Sequence, residues 1–379
     1  MRKSLLILFA MISFIACKSD DPDMPVSKDP LTFTASGTVK VGIYNTGKFY
    51  EEVSLEYKIN DGDWAIYEID QDITLNDGDR LSFQSGKDGN KCMGTPDYTY
   101  LQFKAEGGKI AASGNIMSLL DRTMKQTAIT EPFCFFRFFN GCGNLTSAPE
   151  LPATALSESC YLEMFFRCES LEAAPKLPAR KLAKGCYDSM FCFCTSLVTA
   201  PELPATTLAP GCYYRMFSLC KSLTATSELP AKKMAENCYE KMFEECYFLE
   251  SAPELPATTL APGCYRYMFK YCSVTTAPKL PAKVLEESCY EGMFYDCNLT
   301  TAPELPAKVL VKNCYAEMFY SNIHLNHITM LAEDISADNC LNRWVSDVKS
   351  TGTFVKSKSA KWDVSGENGI PEGWEVQYK

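Results

Sequence analysis

A cysteine recurs about every 26 residues along most of this chain. The first column of cysteines comprises Cys134, Cys160, Cys186, Cys212, Cys238, Cys264, Cys289, Cys314 and Cys340. A second column follows eight residues after the first seven of these, at Cys142, Cys168, Cys194, Cys220, Cys246, Cys272 and Cys297. A fixed period of this length is typical of solenoids, in which each repeat contacts only its neighbours. The period therefore predicts a stack of repeats, with function in an extended surface rather than in one motif.

Each repeat contains the pattern Cys-Tyr-x-x-Met-Phe-x-x-Cys, as in Cys212 to Cys220. At 100° per residue its apolar positions fall within an arc of about 140°, which is typical of an amphipathic helix. The residue before the first cysteine is a favoured helix N-cap type. These residues are Ser159, Gly185, Gly211, Asn237, Gly263, Ser288, Asn313 and Asn339. The pattern predicts one short helix per repeat.

The second half of all repeats but one carries two prolines, as in the segment from Leu197 to Ala205. Proline cannot donate to a sheet ladder, so we expect a strand of only two or three residues. The predicted fold class is therefore α+β, with a short strand, a turn and a short helix per repeat of about 26 residues.

The pattern Cys-x-x-Leu, Leu-Pro, Leu and Met-Phe-x-x-Cys resembles the BspA-like family of bacterial leucine-rich-repeat surface proteins. The resemblance covers roughly residues 115–348, and the repeats here are longer than is usual for the family. It implies a leucine-rich-repeat solenoid and adhesion to host or bacterial surface proteins.

The chain begins with basic Arg2 and Lys3, followed by an apolar run to Ala16, and this is typical of a secretory signal peptide. The run is too short to span a membrane. Small residues before Cys17 resemble the lipobox of bacterial lipoproteins, and the acidic residues after it resemble the export signal of Bacteroidota surface lipoproteins. The alternative is ordinary cleavage beside an incidental cysteine. We expect a surface-exposed protein of the cell outer membrane, held by a lipid on Cys17.

Composition divides the chain into five segments. Residues 1–16 are the predicted signal peptide and 17–30 a lipidated linker. Residues 31–112 alternate like strands around Asn-Asp-Gly turns, and predict a small antiparallel β-sandwich that resembles immunoglobulin-like spacers. Residues 113–348 form the repeats with their capping ends, and 349–379 form a C-terminal β cap.

The formal net charge of −10 and the absence of an evident basic patch argue against nucleic acid as a partner. The cysteines are expected to be free, buried thiols. Packed helices lie about 8–10 Å apart, whereas a disulfide needs Cα atoms about 4.4–6.8 Å apart. A ladder of disulfides between repeats is the alternative. Cys92 and Cys192 lie outside the columns, and we expect them to be the more reactive cysteines.

No catalytic, cofactor or metal motif is evident. His324 and His327 lack a third ligand at a fixed spacing and are explained as loop residues. Turn chemistry explains the aspartates of the Asn-Asp-Gly segments without calcium. A pair of carboxylates that meets only in the folded chain could still make a glycan-active enzyme.

Two surface columns are candidate binding sites. One follows the repeat proline and comprises Glu150, Lys176, Glu202, Glu228, Glu254, Lys279 and Glu304. The other is the predicted outer side of the helices, with Leu162, Phe166, Phe193, Tyr214, Leu219, Tyr267, Tyr271, Tyr295 and Tyr320. The alternatives without a binding function are a solubilising charged face for the first column and packing between neighbouring repeats for the second.

The sequence thus predicts a non-enzymatic surface lipoprotein whose repeats bind an extracellular protein. Three alternatives remain open: a surface glycan-binding protein, a glycan-active enzyme with an unrecognised carboxylate pair, and a scaffold that only sets spacing.

Overall fold

The structure is a computed structural model that describes residues 27–49 and 52–379. The predicted signal peptide, Cys17 and most of the predicted linker lie outside the described residues. The strands are β1 (Leu31–Thr46), β2 (Leu55–Ile59), β3 (Ala65–Tyr67), β4 (Ile73–Leu75), β5 (Arg80–Ser85), β6 (Tyr100–Ser113), β7 (Leu145–Ser147), β8 (His327–Met330), β9 (Thr353–Lys356) and β10 (Glu375–Tyr378). A 3-10 helix spans Ile116–Leu119, and the described part of the chain contains no α-helix.

The prediction of an α+β leucine-rich-repeat fold with one helix per repeat is wrong. Each predicted helix is instead a run of overlapping tight turns, which we call the turn segment. In the repeat that begins at Cys160, alternate amides donate to the carbonyl three residues earlier, as Met164 does to Tyr161. The amides between them donate to the next repeat, as Phe165 does to Met190 at 2.9 Å. In a helix these backbone hydrogen bonds would all lie within the segment, whereas here about half of them join neighbouring repeats.

The backbone of the turn segment explains why it is not a helix. Every fourth residue has a left-handed conformation, with φ of +52° at Ser159, +53° at Glu163 and +60° at Arg167. A right-handed helix requires negative φ at every residue. Each left-handed residue other than glycine costs roughly 1–2 kcal/mol, and the hydrogen bonds between repeats offset this cost at about 0.5–1.5 kcal/mol each.

The predicted N-cap residues occupy the first left-handed position of each turn segment. Their φ values are +57° at Gly185, +59° at Gly211 and +52° at Asn237. Glycine and asparagine are favoured at left-handed positions as well as at N-caps. The residue preference is therefore real, but its cause is a turn rather than a helix start.

The repeats lie directly side by side, each forming one coil of a structure that we call the repeat stack. Buried tyrosines stack from coil to coil with ring centroids 5.6–6.0 Å apart. They are Tyr161, Tyr187, Tyr213, Tyr239, Tyr265, Tyr290 and Tyr315, the second residue of the Cys-Tyr-x-x-Met-Phe-x-x-Cys pattern in each repeat. A parallel ladder of phenylalanines runs from Phe139 to Phe319 and ends on Trp344.

The second cysteine column also links the coils. From Cys168 to Cys297 its thiols donate to the carbonyl of a ladder phenylalanine in the preceding coil, as Cys220 does to Phe191 at 3.1 Å and Cys246 to Phe217 at 3.1 Å. Asn322 stands where the last full repeat lacks this cysteine, and its Nδ2 donates to Phe294 at 2.6 Å. The amide therefore replaces the thiol in the same interaction.

The N-terminal region is a single seven-stranded sheet of order β3-β2-β5-β1-β6-β7, with β4 paired to β1 off this path. Strand pairing therefore joins these strands into one sheet rather than the two sheets of the predicted β-sandwich. The register between the long strands β1 and β6 shifts between Ser36 and Val39 of β1. β6 pairs in parallel with β7 of the first coil. Phe33 and Phe103 contact Phe139 of the phenylalanine ladder, so the sheet shares its core with the start of the stack.

The other end of the stack is covered by a three-stranded parallel sheet of order β10-β9-β8. Trp344 lies at the end of the phenylalanine ladder, and its Nε1 donates to Gly369 at 2.8 Å. Phe354 of β9 packs edge-on against the same indole. The last coil therefore does not expose its aromatic core to solvent.

Candidate partner-binding surface

The proline-rich half of each repeat exposes a row of charged residues, which we call the glutamate row. All seven predicted residues, Glu150, Lys176, Glu202, Glu228, Glu254, Lys279 and Glu304, are exposed. The local reason is alternation along an extended segment. Leu203 and Ala205 are buried, at 3% and 1% exposure, while Glu202 and Pro204 point the other way.

The two ends of the glutamate row are engaged and its middle is not. A carboxylate oxygen of Glu150 accepts the Ser27 amide at 2.8 Å, and Glu304 forms an ion pair with Lys379 at 2.6 Å. Lys176, Glu202, Glu228, Glu254 and Lys279 have no side-chain hydrogen bond or ion pair to any residue that the structure describes. Five solvated charges therefore remain available to a partner.

A second row of charge runs beside the first, and sequence reasoning missed it. This basic row comprises the exposed residues Arg180, Lys181, Lys232, Lys233, Lys283 and Lys308. It lies four and five residues beyond the glutamate row in each repeat, where the chain bends after the proline segment. Lys308 pairs with Glu333 at 2.6 Å, and the other five have no carboxylate partner within the described ranges. The pairs Arg180-Lys181 and Lys232-Lys233, at equivalent repeat positions, are the sequence signal that reveals it.

Between these rows lies a row of prolines: Pro152, Pro178, Pro204, Pro230, Pro256, Pro281 and Pro306. The three rows together form what we call the charged face. Near its C-terminal end a cleft of about 380 Å³ is lined by Ala277, Pro278, Lys279, Leu280, Pro281, Pro303, Glu304 and Pro306. On the same two repeats Val284 and Val309 are 74% and 59% exposed. This end of the face is its most apolar part.

The predicted aromatic column lies on the outer side of the turn segments, where its members are half-buried. Phe166 and Phe193 pack edge to face with centroids 5.5 Å apart. The guanidinium of Arg167 covers both rings, at 5.6 and 5.0 Å from their centroids. Leu162, Tyr214 and Leu219 are half-buried in the same way.

The tyrosines of this column form a second cluster around two cations. Tyr295 stacks on Tyr320 at 4.4 Å, and Tyr271 packs edge-on against Tyr295. The Lys270 ammonium lies 4.7–5.0 Å from the rings of Tyr267, Tyr271 and Tyr295. Arg343 covers Tyr320 at 4.7 Å. Because neighbours and cations contact these rings, the geometry favours packing between repeats over a platform for sugar rings.

Charged residues also lie on the outer side of the turn segments. Glu240 is buried and forms an ion pair with Arg266 at 2.5 Å. The pKa of the Asp188 carboxyl is raised to about 7, chiefly by burial and to a smaller extent by the neighbouring Glu163, while a hydrogen bond from Ser189 opposes the shift. This carboxyl therefore changes charge near neutral pH.

Three strongly exposed aromatic side chains lie outside the two predicted columns. Phe248 is 65% exposed and Tyr247 is 41% exposed, just beyond the second cysteine of their repeat. Tyr98, in the connection between β5 and β6, is 60% exposed. Phe248 stands where other repeats have Ser196 or Ser222, and this exchange of serine for phenylalanine is the signal that the sequence offered.

The cysteines of both columns are buried and free, as predicted. The distance argument for this prediction is wrong, because hydrogen-bonded coils lie closer than packed helices, at about the strand spacing of 4.8 Å. Burial raises the pKa of Cys142 to about 12. Cys92 and Cys192 are buried too, and burial raises the pKa of Cys192 to about 11. The expectation of reactivity is therefore not supported at Cys192, since the thiolate is the reactive form, and the burial of Cys92 restricts access to its thiol.

The remaining polar candidates have local roles. His324 is exposed, and His327 opens β8 with its Nε2 3.4 Å from the Thr329 hydroxyl. Asp77 and Asp79 accept turn amides at 2.8 and 2.9 Å. Among residues 27–49 and 52–379, no group of three or more His, Cys, Asp and Glu side chains is arranged to hold a metal ion.

The described ranges contain no helix that is long and apolar enough to cross a membrane. No protein-family model, no curated protein and no solved structure matches the chain.

Proposed function

We propose that this chain is a surface lipoprotein whose repeat stack binds a protein partner through the charged face. The observation that carries the proposal is the middle of the glutamate row, where five exposed charges lack partners beside an equally exposed basic row. Charges held on a rigid scaffold steer a complementary partner and select against others.

The apolar cleft around Pro278 and Pro303 supports the same surface. Binding energy concentrates where an apolar side chain fills a pocket inside a polar rim. The cleft offers such a pocket, with Lys279 and Glu304 at its rim. Charge would thus orient the partner and the cleft would anchor it.

The proposed location follows from the sequence of the N-terminus. The signal-like start and Cys17 support lipid attachment at the cell outer membrane, with the lipid as the sole membrane contact. The resemblance to BspA-like proteins supports adhesion to host or bacterial surface proteins as the role of the binding.

A charge-matched comparison tests the proposal. Cells displaying the full chain would be assayed on immobilised extracellular matrix proteins at several salt concentrations. The triple variant Glu202→Ala, Glu228→Ala, Glu254→Ala is expected to bind at least tenfold less. The control Glu169→Ala, Glu172→Ala, Glu250→Ala removes the same charge from exposed positions off the face, and is expected to bind within twofold of the parent chain. Equal binding by both triples would contradict the proposal.

Calorimetric measurement of glycan binding tests the main alternative to this proposal. Calorimetry with a glycan panel is expected to show no binding that depends on Phe166, Phe193 and Tyr271. Loss of glycan binding in the triple alanine variant of these three residues would support the glycan-binding alternative. Glycan hydrolysis by the purified chain would support the enzyme alternative.

A further inference from the structure

We infer that the charged face pairs with a second copy of this chain, with the two stacks side by side and running in the same direction. The inference rests on the proposed function and names the partner. It comes from the order of the three rows, in which a net acidic row and a basic row flank a central row of prolines.

Symmetry decides which arrangement of two copies is favourable. A two-fold axis that runs along the stack through the proline row turns one copy to face the other. This rotation brings each glutamate row opposite the basic row of the other copy, and each repeat opposite its own equivalent. A two-fold axis across the stack would place acidic row against acidic row, and like charges repel.

Of the three unpartnered glutamates, Glu228 directly opposes a basic residue and the other two lie one repeat from one. Glu228 faces Lys232 of the second copy. Glu202 lies one repeat from Arg180 of the second copy, and Glu254 lies one repeat from its Lys283, a step of about 4.8 Å. Five glutamates and two lysines give the glutamate row a net charge of −3, while the basic row carries six positive charges. The rows therefore attract each other as wholes, although Lys176 and Lys279 face basic residues.

The apolar end of the face fits the same axis. The cleft lies on the glutamate-row side of the prolines, and Val284 and Val309 lie on the basic-row side of the same two repeats. The rotation carries these valines to the mouth of the cleft in the other copy. An exposed valine pair and an apolar cleft thus become complementary only when two copies meet.

The size and polarity of the pair are also suitable. Seven coils at about 4.8 Å and six residues at about 3.3 Å outline a face of about 700 Å², close to the roughly 800 Å² per partner of a standard interface. Parallel stacks place both N-termini at the same end. Two chains anchored through Cys17 in one membrane can therefore form this pair.

A self-facing cysteine tests the axis. Pro230 lies in the middle of the proline row, so Pro230→Cys should lie beside its own equivalent and form a disulfide-linked dimer under mild oxidation of cells carrying the full chain. Thr224→Cys, an exposed position of the same repeat outside the three rows, is the matched control. We expect at least tenfold more dimer on a non-reducing gel for Pro230→Cys. Equal yields would overturn the inference.

Charge reversal tests the pairing of the rows in the Pro230→Cys background. Glu228→Lys and the double change Lys232→Glu, Lys233→Glu should each lower the dimer yield at least fivefold, because Glu228 directly opposes these two lysines. The combined three-residue variant exchanges the charges of this contact and should restore the yield. Failure of the combination to restore it, with the fold intact by circular dichroism, would overturn the inference.

The outcome separates the inference from the proposed function. A chain that shows no Pro230→Cys dimer, yet adheres to matrix proteins in a manner that depends on Glu202, Glu228 and Glu254, loses the second copy as partner and keeps the proposed function. A chain that dimerises as described and does not adhere has the second copy as its partner and loses the adhesion role.

Discussion

The turn segments and the charged face belong to the same repeats but differ in how many backbone hydrogen bonds they make to neighbouring coils. Between the coils that begin at Cys186 and Cys212, five amides of the turn segment, from Gly185 to Phe193, donate to the next coil. In residues 201–205 of the charged face, no backbone amide donates to any part of the chain that the structure describes. The turn segments therefore join these coils along their whole length, whereas the charged face takes part only at its basic row, where the Arg180 carbonyl accepts the Thr206 amide at 3.1 Å.

This difference explains where sequence variation is tolerated. The tyrosine, phenylalanine and cysteine positions of the turn segments repeat almost without change. Each ring stacks on its equivalent in the next coil, and the second cysteine donates to a ladder phenylalanine of the preceding coil. On the charged face the same position alternates between Arg180, Thr206, Lys232 and Thr258. A partner would recognise this irregular pattern, which the regular scaffold positions.

Alkaline pH should act on the turn segments first and cause the largest effect. Burial raises the pKa of Cys142, Cys238 and Cys314 to about 12. The fold therefore favours the neutral thiol, whereas the unfolded chain loses protons from about pH 9. The contribution of these thiols to stability should be constant below pH 9 and be lost between pH 9 and 12.

Denaturant titrations from pH 7 to 12, with thiolate absorbance followed in parallel, check this expectation. Thiolate should form only as the chain unfolds. Substantial thiolate at pH 10 in a folded chain would contradict the burial of the two cysteine columns.

Removal of one ring from the phenylalanine ladder should destabilise the chain far more than a substitution on the charged face. Phe217 is fully buried between Phe191 and Phe243, so Phe217→Ala should lower the free energy of unfolding by about 3–5 kcal/mol. Pro204→Ala on the charged face should change it by less than about 1 kcal/mol. Urea denaturation followed by circular dichroism measures both. Similar losses would mean that the face also carries the fold.

Part of this architecture could be predicted from the sequence. The 26-residue period and the apolar spacing identified the buried tyrosines, the buried cysteines and the exposed glutamate row. The helix was mistaken because offsets 0, 1, 4, 5 and 8 fit a period of 4.0 residues as well as 3.6 over only nine residues. At 90° per residue these positions fall within 90° rather than 140°, so the tighter period was present in the pattern.

Other features were hidden for separate reasons. Left-handed positions at Glu163 or Leu219 have no residue signature, since the hydrogen bonds between coils impose them. The basic row was obscured by averaging charge over an acidic chain. Its members Arg180 and Lys232 lie 52 residues apart in sequence and two coils apart in the stack.

The exception in the second cysteine column gives a smaller and sharper test. Asn322 is fully buried; its Nδ2 donates to Phe294 and its Oδ1 accepts the Leu299 amide at 3.2 Å. Asn322→Ala should cost about 1–3 kcal/mol by leaving these groups unpaired. Asn322→Cys should recover part of this loss, because cysteine makes the equivalent bond in the other coils. If the cysteine variant is no more stable than the alanine variant in urea denaturation, the proposed equivalence fails.

Two substitutions of Asp296 test the turn segments most directly, because left-handed turns and a helix predict opposite orders of stability for the variants. This residue is exposed and has φ of +51°. Stability of Asp296→Gly and Asp296→Ala would be compared by urea denaturation. Left-handed turns predict that the glycine variant is the more stable by about 1 kcal/mol. A helix predicts that the alanine variant is the more stable by about the same amount, and that result would contradict the stacked turns on which the charged face depends.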